Sequence, residues 1–135
     1  MKKGILLCVL AWFVTALTAL PVAASEEAAE FEVGRLVVAR GIEDREPVDI
    51  GTRFSTDVEV VYCFLEAVNI KQDTTAIFLW LHNGKEVHKT ELPLTTGTRW
   101  RAWAVKTVHG AEGLWVVELY DGKGNFLDSV EFWIE

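Results

Sequence analysis

The apolar residues of this chain fall in short runs rich in β-branched and aromatic side chains, and turn-forming residues separate one run from the next. Such runs are typical of strands, and no window shows the sustained period of a capped helix. The pattern predicts seven strands, over residues 31–40, 58–68, 74–82, 85–92, 98–108, 114–120 and 126–134. The charged segment 41–57 is predicted to be irregular, with a short strand near 50–54. Seven short strands at this spacing predict an all-β fold, an immunoglobulin-like antiparallel β-sandwich without the disulfide of antibody domains.

Asn83-Gly84 is the clearest turn signal, because both residues accept the positive φ that a two-residue hairpin turn requires. A turn of this length places Trp80 opposite Val87, and it sends His82 and His88 to opposite faces of the sheet. Zinc needs three or four ligands on one side of a site. The sequence therefore predicts no metal site, and no motif indicates a cofactor.

Residues 99–103, with the sequence RWRAW, carry the most distinctive chemistry of the predicted fifth strand. Alternation puts Arg99, Arg101 and Trp103 on one face and Trp100 on the other, so one indole is expected in the core and one at the surface. One interpretation is a shallow aromatic and cationic platform for a glycan, peptide or protein partner. The other is that the arginine stems cover the indole faces and complete the packing. The candidate binding residues are Trp80, His82, Arg99, Trp100, Arg101 and Trp103.

Alternation in the last two predicted strands separates core positions from surface positions. The predicted core positions are Trp115, Val117, Leu119, Val130, Phe132 and Ile134. This assignment leaves Trp133 facing outward, where a packing role is favoured over a ligand platform. Cys63 lies in an apolar run, so a buried structural thiol is favoured over a reactive one.

The first 24 residues have the three-part pattern of a secretory signal peptide. Lys2 and Lys3 precede an apolar run over 4–20, and small residues provide a cleavage site after Ala24. The pattern predicts export to the periplasm or the cell exterior, with no membrane span after cleavage. The alternative is an uncleaved helix that anchors the chain in the inner membrane.

Beyond the signal, residues 25–30 are predicted to form a flexible acidic tether, and residues 31–135 a single β-sandwich domain. The whole chain has 13 basic and 20 acidic residues, a formal net charge of −7. Removal of residues 1–24 takes away two lysines and leaves a net charge of −9. A surface this acidic argues against a nucleic-acid partner, since phosphates need a positive surface.

Five segments, taken in order, resemble the bacterial DUF2914 family of unknown function. They are EVGRLVVARGIEDREPV, VYCFLEAVNI, FLWLHNGKEVHKTELPL, RWRAW and GLWVVELYDGKGNFLDSVEFWI. The specific combination is a Trp-x-His hairpin, an Arg-Trp-Arg strand, and a Gly-x-Trp-x-Val strand that ends in an Asp-Gly turn, and the resemblance covers about residues 31–135. It implies an envelope-associated β-sandwich domain and brings no known activity. Members are often joined to other domains or membrane segments, so a single-domain chain is expected to act on a separate partner.

These observations favour a non-catalytic, exported binding or interaction module of the cell envelope, whose partner is an envelope protein or glycan. No nucleophile elbow, zinc-binding helix, phosphate loop or dinucleotide fingerprint occurs in the sequence, and no catalytic residue is assigned. The alternative is a small secreted hydrolase that acts on envelope polymers through a carboxylate- or histidine-based site. Such a site needs two ionisable groups in one cleft.

Overall fold

The computed structural model describes residues 28–135, so the predicted signal peptide and the first half of the predicted tether, residues 25–27, lie outside the described residues. The strands are β1 Glu32–Glu43, β2 Glu46–Ile50, β3 Arg53–Phe54, β4 Val60–Ile70, β5 Thr74–His82, β6 Lys85–Leu94, β7 Gly97–Thr107, β8 Gly113–Tyr120 and β9 Phe126–Ile134. All seven predicted strands are present, and segment 41–57 holds the end of β1 and two further short strands. Among the described residues, no helix is long and apolar enough to cross a membrane.

The strands form two sheets that enclose one apolar core, which confirms the predicted β-sandwich. The four-stranded sheet has the order β2-β1-β4-β7, and the five-stranded sheet has the order β3-β9-β8-β5-β6. Neighbouring strands are antiparallel except β3 and β9, which pair in parallel. The antiparallel sandwich thus carries one short parallel pair at this edge, because β3 enters the second sheet in the same direction as the last strand.

Side-chain alternation builds the core from both sheets. The fully buried inward residues of the central strands are Val61, Cys63, Leu65, Ala67, Ala76, Phe78, Trp80, Val117 and Leu119. The predicted core of β8 and β9 is confirmed, with Val130 partly buried against it, and Trp133 faces outward with 42% of its surface exposed. Each large apolar side chain buried in this way contributes roughly 1.5–3 kcal/mol to stability.

The β5–β6 hairpin departs from the predicted register. Asn83 and Gly84 have the positive φ values, 51° and 80°, that the two-residue turn requires. A β-bulge at Val87, however, leaves Trp80 opposite His88. Because the bulge adds one residue to β6, every later residue of that strand moves to the other parity. The prediction that His82 and His88 point to opposite faces was therefore wrong.

One buried carboxylate, Asp121, organises the turn between β8 and β9. It accepts hydrogen bonds from the backbone N–H groups of Lys123 and Asn125 at 3.0 and 2.9 Å, and from the Asn125 amide at 2.9 Å. It also accepts one from the backbone N–H of Glu30 at 3.1 Å, which fastens the chain just before β1. Burial by itself raises the pKa of Asp121, but these hydrogen bonds outweigh it and hold the pKa below its usual value.

Replacing Asp121 with asparagine is expected to lower the free energy of unfolding by about 1.5–3 kcal/mol near neutral pH, since an amide nitrogen cannot accept these hydrogen bonds. Because the folded-state pKa is depressed, the carboxylate stabilises the fold fully at any pH above the pKa that it has in the unfolded chain. That contribution is lost as the pH falls through the lower folded-state value. Urea unfolding across this range measures the difference between wild type and Asp121→Asn. A difference that persists undiminished in strong acid would contradict this role.

Candidate functional site

The outward side of the four-stranded sheet carries a cluster of charged and aromatic side chains that we call the arginine face. Its members are Arg35, Glu46, Phe64, Glu66, Arg99, Arg101 and Trp103. Strand register brings Arg35 of β1, Glu66 of β4 and Arg101 of β7 side by side in one row. In β7, the core-facing residues that alternate with the outward ones include Ala102 and Ala104. The same strand therefore packs tightly inward and presents charge outward.

Two carboxylates hold the three guanidinium groups of the arginine face. Glu46 accepts a hydrogen bond from Arg35 at 2.8 Å and lies 3.1 Å from Arg101. Glu66 accepts a hydrogen bond from Arg99 at 3.0 Å, and it lies 3.7 Å from Arg35 and 3.9 Å from Arg101. Ion pairs this exposed contribute little to stability, because water and salt screen them. The network therefore fixes the directions of the guanidinium groups more than it stabilises the fold.

The tip of the β1–β2 hairpin takes part in this face. Glu46 starts β2, yet it reaches Arg101 on β7, so the tip lies over the outward side of the sheet. Arg45, the preceding residue, lies there too and is exposed. The hydrogen bond from Arg35 is the main cause that holds the pKa of Glu46 below its usual value, with Arg101 adding to it against the effect of burial. Glu46 is thus kept charged between its arginines.

Phe64 is fully buried although it points away from the core. Its ring stacks on the Trp103 indole with centroids 6.5 Å apart and planes 9° from parallel. The guanidinium carbon of Arg35 lies 4.8 Å from the centroid of the same ring. The stack on Phe64 holds the Trp103 indole half-buried in one orientation, and the Arg35 guanidinium makes a cation–π contact with Phe64. A ligand that binds this indole therefore does not incur the entropic cost of fixing a mobile side chain.

Two open depressions adjoin β7. The first has a volume of about 360 Å³ and is lined by Arg45, Arg99, Trp100 and Arg101. The second has a volume of about 210 Å³ and is lined by Leu92, Pro93, Arg101, Ala102 and Trp103. The first is cationic, with three guanidinium groups beside one indole. The second lies between β6 and β7 and is mainly apolar.

Four of the six predicted binding residues lie at this place. Arg99, Arg101 and Trp103 share the outward side of β7, as alternation predicted. Trp100 has the opposite parity but is 37% exposed, so neither indole of this strand belongs to the core. The expectation that one of them is a core residue was wrong. β7 is an edge strand, and its inward residues Ala102 and Ala104 are buried whereas Trp100, nearer the start of the strand, is left uncovered.

Trp80 and His82 lie elsewhere and leave the candidate site. Trp80 is fully buried in the core, and its indole N–H donates to the Thr90 hydroxyl at 3.3 Å. His82 stacks on Trp115 with centroids 4.2 Å apart, and its Nε2 lies 2.7 Å from the carbonyl oxygen of Glu112. These contacts give both residues structural roles, the second as a brace between the hairpin and the β7–β8 loop.

Sequence reasoning missed Arg35, Phe64 and Glu66, and it missed the hairpin residues Arg45 and Glu46. A partial signal existed, because Glu66 and Phe64 share one parity in the predicted second strand. The sequence did not indicate that β1, β4 and β7 are neighbours. It also gave no sign that the β1–β2 hairpin reaches over the sheet.

Other reactive groups are dispersed or buried. Within residues 28–135, no group of three or more His, Cys, Asp or Glu side chains is arranged to hold a metal ion. Cys63 is fully buried as predicted, and burial, with a smaller contribution from Asp128, raises the pKa of its thiol far above the usual value. The thiol is therefore protonated and shielded, which does not suit a nucleophile.

The outward side of the five-stranded sheet is apolar along β5. Ile77, Leu79 and Leu81 are half-buried there, and Phe78 and Trp80 between them fill the core. This arrangement accounts for the apolar character of β5 at both parities. The register aligns Leu81 with Val116 of β8 and Glu131 of β9, and Trp133 lies on the same outward side two residues further along β9.

A family model described as a protein of unknown function, DUF2914, matches residues 73–134. The match runs from the start of β5 to the end of β9 and includes β7, so the resemblance seen in the sequence is confirmed over this part of the chain. No curated protein matches the chain.

Proposed function

We propose that this chain, which belongs to the DUF2914 family through residues 73–134, is an exported, non-catalytic module that binds a carboxylate-bearing partner in the bacterial cell envelope. The observation that carries the proposal is the convergence of Arg45, Arg99 and Arg101 around Trp100 in one open depression. Guanidinium groups bind carboxylates through paired, charge-assisted hydrogen bonds, and an indole adds apolar contact. Export is proposed from the N-terminal signal pattern.

The positive charge of the depression supports a carboxylate-bearing partner. Its sign is opposite to that of the net charge of the chain, −7. A cationic patch on an acidic domain attracts an anionic partner to one place, while the remaining surface repels it. Arg45 has no ion-pair partner among the described residues, and 51% of the Arg99 side chain is exposed. These two guanidinium groups are the most accessible to an incoming carboxylate.

The hydrolase alternative gains less support from the described residues. A carboxyl group that acts as general acid needs a pKa raised toward neutrality. The shifts resolved for Glu46 and Asp121 are both downward, and no carboxyl group lines the cationic depression. The depression therefore suits the binding of a charged group better than acid catalysis.

Replacing Arg45 and Arg99 together with alanine is expected to weaken binding of poly-L-glutamate at least about tenfold at low salt, since each charge-assisted hydrogen bond contributes about 1.5–3 kcal/mol. Isothermal titration calorimetry at increasing salt concentration measures the effect. Binding by the wild-type chain should weaken steeply with salt, because screening shortens the reach of exposed charges.

The matched control replaces Arg53 and Lys89 with alanine, which changes the net charge by the same amount. Both residues are also exposed, but they lie on the other sheet. The control variant should bind poly-L-glutamate as the wild type does. Equal losses in both double variants would mean that net charge alone drives binding. The absence of any wild-type binding would overturn the proposed partner class.

A further inference from the structure

β7 is a long edge strand whose second edge pairs with no strand in the described part of the chain. Ten of its 11 residues pair with β4, in one constant register and without a bulge. It also contains no proline, and prolines and bulges are common devices that block an exposed edge. The adjacent edge strand β6 has both, Pro93 and the bulge at Val87. The remaining edge strands, β2 and β3, have only five and two residues.

We propose that the free edge of β7 accepts an extended acidic segment of a partner protein as an additional strand, alongside residues 99–103. This inference rests on the proposed function and specifies both the class of partner and the mode of binding. Strand addition gains affinity from main-chain hydrogen bonds, and pockets for alternate side chains supply the specificity. The edge of β7 has both elements.

The two depressions beside β7 are the evidence that side-chain pockets follow its edge. Each is lined by β7 residues of both parities, Arg99 with Trp100 in the first and Ala102 with Trp103 in the second. Residues of opposite parity point to opposite sides of a sheet. They can line one depression only where it extends around the free edge of the strand. The space therefore adjoins the unpaired backbone, where an added strand would lie.

The chemistry of the two depressions indicates the pattern of the added segment. The first presents Arg45, Arg99 and Arg101, and the second presents Leu92 and Ala102. An added strand sends successive side chains to opposite faces. A segment that alternates acidic and apolar residues thus directs its carboxylates to the arginine face and its apolar side chains to the gap between β6 and β7.

A second copy of this chain fits the edge less well than an acidic segment. Antiparallel pairing of two β7 strands in one continuous sheet brings Arg99 and Arg101 of both copies onto the same face. Like charges in such proximity destabilise a strand pair. Charge complementarity therefore favours an acidic strand over self-association.

The parent peptide in the test is a capped eight-residue peptide that alternates glutamate and valine. A second peptide has the same sequence, but two of its valine backbone nitrogens, which lie on one edge of the extended peptide, are methylated. Methylation keeps the charges and side chains but removes two backbone donors from that edge. The methylated peptide is compared with an isomer methylated at two nitrogens on its other edge. We expect one of the two isomers to bind at least about tenfold more weakly than the parent, since each lost hydrogen bond contributes about 1 kcal/mol. Amide hydrogen exchange by NMR should show new protection within residues 99–103 when the parent peptide is bound.

The outcomes separate this inference from the proposed function. If the wild-type chain binds all three peptides equally, and the Arg45→Ala/Arg99→Ala variant binds none of them, carboxylate recognition stands and strand addition is overturned. If polygalacturonate, a carboxylate glycan, protects the same β7 amides as well as the parent peptide does, the peptide assignment is overturned. If the chain forms concentration-dependent dimers that protect the amides of residues 99–103 without peptide, a second copy of the chain occupies the edge and the peptide assignment is overturned. If neither poly-L-glutamate nor the peptide binds the wild-type chain, the proposed function fails and the inference fails with it.

Discussion

Replacing Trp80 with alanine is expected to lower the free energy of unfolding by about 3–5 kcal/mol, the range for removing a large aromatic side chain from a core. Trp80 is fully buried between the sheets, opposite Val117 of β8, and it is the largest of the fully buried side chains. The substitution removes its apolar contacts and leaves a cavity that rigid neighbouring strands cannot fill. It also leaves the Thr90 hydroxyl without the indole N–H that donates to it.

Trp133→Ala is the matched control, because it removes the same side chain from a position that is 42% exposed. A loss of about 1 kcal/mol or less is expected there, as for other surface substitutions. Equilibrium unfolding in urea, followed by far-UV circular dichroism, gives both values. If Trp80→Ala unfolds the chain completely, the milder Trp80→Phe should fold with an intermediate loss. Equal effects at residues 80 and 133 would contradict the placement of Trp80 in the core.

Replacing Gly110 with alanine is expected to lower the free energy of unfolding by about 2–4 kcal/mol, from left-handed backbone strain of about 1 kcal/mol and overpacking of about 1–3 kcal/mol. Gly110 has a φ of +62° in the β7–β8 loop, where L side chains are disfavoured. A Cβ atom there would overlap the backbone carbonyl oxygen of Thr56 and lie 2.9 Å from its carbon. Backbone atoms cannot rotate away as a side chain can, so one of the two loops has to move.

Gly124→Ala isolates the strain from the clash. Gly124 has a similar positive φ of +86°, but an added Cβ would meet no atom within 4 Å. Its substitution should cost only about 1 kcal/mol, the contribution of backbone conformation alone. Thermal and urea unfolding of the two variants measure the difference. If Gly124→Ala is as destabilising as Gly110→Ala, close packing against Thr56 is not the cause.

These predictions concern the scaffold, and the scaffold determines what the candidate site can do. The arginine face exists because β1, β4 and β7 present outward positions in register, and because core-facing alanines let β7 pack closely. A variant that loosens the core is therefore expected to weaken binding indirectly. Binding experiments on Arg45 and Arg99 avoid this complication, since both side chains are exposed and outside the core.

Strand alternation predicted faces correctly wherever a strand is regular and covered. It placed Trp115, Val117 and Leu119 in the core and Trp133 outside, and it grouped Arg99 with Arg101. It failed in β6, where the bulge at Val87 changed the parity of every later residue. It failed again at Trp100, because an inward position at the end of an edge strand need not be covered.

Local patterns predicted seven of the nine strands, the Asn83-Gly84 turn, the β-sandwich and the resemblance to DUF2914, because these features depend on a few neighbouring residues or on short motifs. The order of the strands in each sheet, and the free edge of β7, became known from the folded chain alone. Pairing between distant strands depends on contacts between residues far apart in the chain, and a local pattern carries no record of them. The meeting of Arg35, Glu66 and Arg101 in one row, and the reach of Glu46 across them, follow from that pairing.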